Sequence, residues 1–334
     1  MILKGIHHIT AITGDSPANV DFYVRVMGLR MVKKTVNFDV PDIYHLYYGD
    51  ETGRPGSILT FFEYPGARRG RHGTGMIHSI GWGVAGEDSL DFWEKRLAGE
   101  GVATTRTPGS LRGADHEGLG IELVVDRASQ PALAATWEEV PQAHALRGFT
   151  GVRVYGQQPF SMAGTVATDS DKVLTEVLGF ERLASTEPLD GEPGEPPDPA
   201  AQTRTDSAYR LTGGARRSLY VYDDDPGPGL QGAGSVHHIA WACDPDLQEQ
   251  WRQRVLQGHL SPTPIIDRQY FKSIYFREPS GVLFEIATIG PGFAIDEPVE
   301  ALGEALQLPP QYEHRRDELQ ERLTPLSNPR QLQT

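Results

Sequence analysis

Val236-His237-His238-Ile239-Ala240-Trp241 decides the fold, because Ile6-His7-His8-Ile9-Thr10-Ala11, near the other end of the chain, nearly repeats it. Both stretches are short, apolar and β-branched around a His-His pair, the pattern of a buried strand whose alternate side chains face opposite ways. Two copies of one strand so far apart indicate a duplicated fold. A weaker third copy, Ile77-His78-Ser79-Ile80-Gly81-Trp82, keeps the first histidine and replaces the second by serine. Alternation lets one histidine of each doublet enter a given cavity, so the second one, His8 or His238, is the residue to account for.

Working outward, each copy opens a strand–helix–three-strand unit. The first runs Ile6–Ile12, a helix capped by Ser16 with Pro17 at its first position and stopped by Gly28, then Arg30–Asn37, Ile43–Tyr48 and Ser57–Phe62. The second has Ile77–Val84, a helix at Ser89–Gly99 and a closing strand Gly120–Val125. The third has Phe149–Tyr155, a helix near Asp171–Leu178, then Phe180–Ala184, Ala208–Leu211 and Ser218–Tyr222. The fourth has Val236–Ala242, a helix at Asp246–Gln257, then Pro264–Asp267, Lys272–Phe276 and Val282–Ala287. Spacings of roughly 60 to 75 residues are too long for a solenoid repeat. The expected fold is therefore α+β, four βαβββ modules paired into two half-barrel cups. Residues 1–140 hold the first two modules, 141–290 the last two, and 291–334 form a tail. Glu187–Arg204, rich in Pro, Gly, Asp and Glu, reads as a mobile insertion in the third module. Tyr312–Leu323 has helical periodicity and packs either on the outside of a cup or on a second subunit of a homo-oligomer.

Composition narrows the function. Of the 334 residues, 38% are hydrophobic and 23% charged, as in a soluble globular protein. No run is long enough to span a bilayer, and Met1-Ile2-Leu3-Lys4 leads straight into the first strand without room for a signal peptide, so a cytoplasmic location and no membrane partner are expected. A net charge of −14, from 31 basic against 45 acidic residues, argues against a nucleic-acid partner. The lone cysteine, Cys243, excludes an internal disulfide and reads as a small buried hydrophobe. Any metal must then be held by histidine and carboxylate.

Aligning the modules places Ser79, then Thr150 or Gly151, at the second-histidine position of the middle two. Four residues past a turn glycine, the closing strands carry Thr60, Glu122, no acid in the third module, and Glu285. Only the fourth module holds both histidine and glutamate. In such a unit the first and last strands are neighbours about 4.8 Å apart, so His238 and Glu285 can share one ion, with His8 of the first module as third ligand. A buried carboxylate in Val282-Leu283-Phe284-Glu285-Ile286 needs a compensating charge. Two histidines and one carboxylate leave coordination positions open, the facial set of non-haem Fe(II) oxygenases, which also suits Mn(II) or another divalent metal. The first and fourth modules must then share a cup. Strict alternation turns His7 and His237 away unless a bulge returns them within reach as bases. Thr10 faces the same side as His8. Tyr275 and Arg268, before Glu285, offer a phenol and a guanidinium suited to an anionic oxygen ligand.

These features resemble the vicinal oxygen chelate superfamily of glyoxalase I, bleomycin-resistance proteins and type I extradiol dioxygenases. More narrowly, Gly5-Ile6-His7-His8-Ile9-Thr10, Val32-Lys33-Lys34-Thr35 with Tyr44-His45-Leu46-Tyr47, Val236-His237-His238, and Arg268 through Tyr275 to Glu285 resemble the hydroquinone ring-cleaving dioxygenases, typified by the dichlorohydroquinone dioxygenases. The resemblance implies an Fe(II) enzyme with His8, His238 and Glu285 as ligands. It also implies supporting roles for His237, Tyr275, Arg268, Thr10 and His7, and a small aromatic diol and O2 as reactants. Catechol enzymes of the extradiol class carry a ligand on the third module, where this chain has Thr150 or Gly151. The rivals are a glyoxalase-type metal isomerase or lyase and a non-catalytic protein that binds aromatic ligands.

Overall fold

A computed structural model describes residues 1–127, 131–156, 169–184, 207–214, 216–224 and 226–333. The insertion expected at Glu187–Arg204 lies outside them. Four βαβββ modules are present. The first comprises β1 (Ile6–Thr13), a helix whose first turn is α1 (Ser16–Val20) and whose second is π-helical (Asp21–Val26), then β2 (Arg30–Val36), β3 (Tyr44–Gly49) and β4 (Ile58–Glu63). Its cap is Asp15 rather than Ser16: the Asp15 carboxylate accepts the Ala18 N–H at 3.1 Å, so Ser16 is already helical. The second module has β5 (Met76–Val84), α2 (Glu87–Gly99), β6 (Thr105–Thr107), β7 (Ser110–Ala114) and β8 (Gly120–Val125). The third has β9 (Phe149–Tyr155), α3 (Asp169–Lys172) running into a π-turn, β10 (Glu181–Arg182), β11 (Ser207–Leu211) and β12 (Ser218–Asp223). The fourth has β13 (Val236–Cys243), α4 (Gln248–Gln257), β14 (Ile266–Asp267), β15 (Lys272–Arg277) and β16 (Leu283–Thr288).

Two eight-stranded sheets result. One runs β14-β15-β16-β13-β1-β4-β3-β2 and joins the fourth module to the first. The other runs β10-β11-β12-β9-β5-β8-β7-β6 and joins the third to the second. Each half of the chain, 1–140 and 141–290, thus gives one module to each cup. Within every module the first and last strands pair in parallel, and the two modules of a cup meet through antiparallel first strands, β1 with β13 and β5 with β9. The pairing is dictated by side-chain alternation. Ile9, Ala11, Ile239 and Trp241 turn into one apolar cluster shared with Trp82 and Phe149 of the other sheet, which leaves His8, Thr10 and His238 on the opposite, concave face.

The β1–β13 ladder is broken twice. Ile6 pairs with Trp241 and His8 with Ala240, so His7 is an extra residue on β1; Thr10 pairs with His238 and Ala11 with Val236, so His237 is an extra residue on β13. The leading histidine of each doublet is therefore a β-bulge. The second cup repeats the device at His78 and Thr150.

After β16 the tail closes over the first module. Lys33, fully buried on β2, contacts Asp296 at 2.6 Å and also pairs with Glu297, while its ammonium lies 5.0 Å from the centre of the Tyr270 ring. Lys34 bridges to Leu306, and Leu306, Leu308, Leu319 and Leu323 join the main core. Helix α5 (Arg316–Arg322) follows a 3-10 turn at Pro310–Arg315, and the Tyr312 hydroxyl donates to the Phe38 carbonyl at 3.0 Å. The periodic stretch thus packs on the outside of its own chain's cup. Cys243 is buried, and burial pushes its thiol up to about 12. No helix among the described residues is long and apolar enough to cross a membrane.

Candidate metal centre

His8, His238 and Glu285 meet at the floor of the cup formed by the first and fourth modules, all three buried. His8 Nε2 lies 3.3 Å from His238 Nε2, and Glu285 Oε2 lies 3.2 and 3.0 Å from those same two nitrogens. This near-equilateral triangle has the edge length expected of adjacent ligands on one octahedral ion, about 3.0 Å for bonds of ~2.1 Å. Glu285 Oε1 accepts from Ser273 Oγ, whereas Oε2 is buried and makes no well-formed hydrogen bond despite its two close nitrogens. An orphaned carboxylate oxygen converging with two imidazole nitrogens is what a divalent cation would fit. Burial opposes the charge on Glu285, but His8 and His238 overturn that and hold its pKa well below the usual carboxylate range.

The bulges place His7 and His237 behind His8 and His238. His7 Nδ1 is 2.9 Å from His8 Nδ1, and His237 Nδ1 is 2.8 Å from His238 Nδ1. For Nε2 of His8 or His238 to present a lone pair to a cation, its Nδ1 must carry the hydrogen, and the neighbouring bulge histidine would accept it. Both acceptors stay neutral: burial and the adjacent His8 draw the His7 pKa down to about 3, and burial with His238 draws His237 to about 4. His7 packs on Phe271 away from the cavity, whereas His237 lines the mouth with part of its ring in solvent. Of the pair, the structure puts only His237 where a ligand can reach.

That burial has a measurable consequence. An unfolded histidine takes up a proton near pH 6.5, while folded His7 does not until about pH 3. Unfolding therefore binds a proton between those values, and stability falls as the pH drops below 6.5. His7 alone is expected to contribute about 1.4 kcal/mol per pH unit. His45, whose pKa is also pushed well down by burial, adds in the same sense. The urea midpoint of metal-free protein should hold between pH 8 and 7 and fall steeply from 6.5 to 4.5; a flat profile would mean that His7 is charged in the native state.

Above the triad is a cavity of about 390 Å³ walled by aromatic rings, among them Phe38, Tyr47, Phe62, Phe271 and Tyr275. Tyr275 stands edge-on to His238 with ring centres 5.8 Å apart. Arg268 reaches the same wall: its Nε donates to the Tyr275 hydroxyl at 3.2 Å, and its Nη1 pairs with Asp39 at 3.1 Å across the mouth. Burial, with the Glu285 charge, pushes the Tyr275 phenol up, so it remains a donor. Thr10 Oγ1 lies 2.9 Å from His238 Nε2.

His45 and Tyr47 also line the cavity, and the sequence reading assigned them no role there. They stand two apart on β3 beside β4, so the same alternation that placed His8 and Thr10 could have found them. The register also fixes the fourth position around the triad. Glu285 pairs with Ala240, and its counterpart in the first module, paired with Thr10, is Thr60. In the second cup the four corresponding positions are Ser79, Glu122, Gly151 and Val221, with Gly151 rather than Thr150 at the histidine position. Glu122 is paired with Arg112 at 2.8 Å and His78 with Asp223 at 2.9 Å. Among the described residues, no second histidine–carboxylate cluster forms there.

The family model of the Glyoxalase/Bleomycin resistance protein/Dioxygenase superfamily matches residues 5–123 and 169–286, more than half of the chain. The chain is 40% identical, over 96% of each sequence, to the Bacillus subtilis protein named "Putative ring-cleaving dioxygenase MhqO". It is 32% identical, over 95% of each, to the chlorohydroquinone/hydroquinone 1,2-dioxygenase of Sphingobium indicum. A crystal structure described as a putative dioxygenase from Bacillus subtilis superposes with a TM-score of 0.85 at 38% identity, covering 98% of both chains.

Proposed function

The chain belongs to the Glyoxalase/Bleomycin resistance protein/Dioxygenase superfamily, and from that premise we propose that it opens the ring of an aromatic diol with O2, using a divalent iron held by His8, His238 and Glu285. The observation that carries the reading is an open three-ligand triangle at the floor of an aromatic cavity. Two imidazoles and one carboxylate are the facial donor set of non-haem iron oxygenases, and Mn(II) suits the same donors. Iron bound there would supply the redox chemistry that joins dioxygen to the ring, which no side chain here can supply.

The chain's own residues do the rest. The aromatic walls hold a planar ring by offset and edge contacts. Arg268 and the protonated Tyr275 phenol donate to a phenolic oxygen, stabilising it as it loses its proton. Neutral His237, its Nδ1 occupied by the His238 Nδ1–H, presents its Nε2–H at the mouth and can donate to an oxygen of the bound diol. His7 and His237 hold the ligand rings in their working tautomer. We assign hydroquinones ahead of catechols on the strength of the Sphingobium relative's name. A glyoxalase-type reaction is disfavoured because Thr60, a hydroxyl, stands where a second carboxylate ligand would be needed.

The test is to load metal-free protein anaerobically with Fe(II), admit O2, and follow its consumption across substituted hydroquinones and catechols, with His8→Ala as control. Stoichiometric uptake with a hydroquinone, absent in the control, is expected. Binding of diols without O2 uptake would instead favour a sequestering protein.

A further inference from the structure

Thr60 is the centre of an unbroken hydrogen-bonded chain that none of the proposed roles uses. Tyr47 Oη lies 2.8 Å from His45 Nδ1, His45 Nε2 lies 2.8 Å from Thr60 Oγ1, Thr60 Oγ1 donates to Thr10 Oγ1 at 2.9 Å, and Thr10 Oγ1 lies 2.9 Å from His238 Nε2. A hydroxyl has one hydrogen to give. Thr60 gives its hydrogen to Thr10, so the hydrogen between His45 and Thr60 belongs to His45 Nε2. Neutral His45 then has a bare Nδ1, which the Tyr47 phenol fills, and the hydrogen of Thr10 points on toward the triad. Every donor in the chain aims the same way.

The two ends reach the same cavity at different points, its aromatic wall at Tyr47 and its floor at His238. Tyr47 and His45 line the cavity, whereas Thr10 and Thr60 have no exposed surface, so water does not compete for the middle of the chain. His45 is kept neutral by burial and by the imidazoles of His8 and His238, which leaves Nδ1 ready to accept. A single-file chain sealed along its middle transmits protons between wall and floor without passing them through solvent.

The geometry points to a proton relay in which Tyr47, His45, Thr60 and Thr10 carry a proton from a diol hydroxyl in the cavity to an oxygen held at the His8–His238–Glu285 cluster. What the oxygen belongs to rests on the function proposed above. In the transfer, Thr10 gives its hydrogen to the acceptor oxygen and is refilled by Thr60. Thr60 is refilled from His45 Nε2, His45 Nδ1 takes the Tyr47 hydrogen, and Tyr47 is refilled by the diol. One O–H bond is lost on the diol and one is gained at the acceptor; no residue ends with a changed charge. His45 and Tyr47 face the substrate, and Thr60 acts through its neighbours as a positioning residue.

Thr60→Val keeps the shape and removes the hydroxyl. In Zn(II)-loaded protein labelled with 15N-histidine, wild-type His45 should be a single Nε2–H tautomer with slow solvent exchange, and in Thr60→Val that exchange should quicken at least tenfold. In Fe(II)-loaded protein, Thr60→Val should keep its iron and a KM within threefold while kcat falls at least tenfold and the solvent deuterium isotope effect on kcat rises; Thr60→Ser should restore both. An Nδ1–H tautomer or a charged His45 in the wild type would overturn the relay. So would a Thr60→Val enzyme with unaltered kcat and isotope effect, or a loss of kcat that merely follows loss of iron and is not rescued by serine. Wild-type enzyme that consumes no O2 with any diol would remove the functional reading instead, and the tautomer measurement alone would then decide whether the chain is oriented as described.

Discussion

Glu285→Ala is expected to release the metal and extinguish turnover. Glu285 has no exposed surface, and its Oε2 is the one anionic atom in the triangle with His8 and His238. Without it two neutral imidazoles remain, in a pocket that cannot easily hold a bare dication. Groups that merely orient metal ligands are worth 10–100-fold in affinity, so loss of this ligand should cost on the order of 10³-fold or more. Metal content after dialysis and O2 uptake with a hydroquinone report the two losses separately. Glu285→Gln keeps the volume and the contact with Ser273 yet removes the charge, and should fail almost as completely. Stoichiometric iron retained by Glu285→Ala would move the metal elsewhere and end the assignment.

Lys33→Met should destabilise the protein by about 3–5 kcal/mol, the usual penalty for breaking one side of a buried ion pair. Lys33 is fully buried between Asp296 and Glu297, and Glu297 Oε1 is already buried without a partner. Removing the ammonium strands the buried Glu297 carboxylate beside the apolar group that includes Val32, Tyr270 and Phe271, whereas Asp296, partly exposed, keeps its hydrogen bonds from Gln269 and Tyr270. The urea midpoint should fall with the slope unchanged. Adding Asp296→Asn and Glu297→Gln to the same variant should return much of the loss, because the uncompensated charge disappears. An equal loss in the triple variant would assign the effect to packing around the lysine stem. Phe271 also packs on His8, with ring centres 5.0 Å apart, so the Lys33→Met protein should hold metal less tightly as well.

The elements and the triad were legible because they depend on local patterns. The doublets at His8 and His238 mark equivalent strands, the turn glycines locate the closing strands, and counting from them reaches Glu285. Alternation turns His7 away from the cavity, as the structure does, but mispoints His237, since a bulge consumes one residue and changes the facing of its neighbour, and nothing in the doublet itself announces the extra residue. The β6–β7 hairpin was missed because Thr105–Thr107 and Ser110–Ala114 are short, polar and without alternation. The roles of Lys33 and of the His45–Thr60–Thr10 line depend on partners brought together by the fold. Lys33 meets Asp296 across 263 positions of sequence, beyond the reach of any window.

The order of the modules has a consequence for biogenesis. The outer pair encloses the inner pair like nested brackets, with β1 waiting for β13 and His8 meeting His238 across 230 positions. As the polypeptide leaves the ribosome, the inner cup has all its strands once Asp223 has emerged, whereas β1 still presents a bare edge to solvent or to a chaperone. Completion of the three-residue cluster is therefore a terminal event: a nascent chain displays His8 alone until His238 is made, and it lacks the carboxylate until translation has passed residue 285.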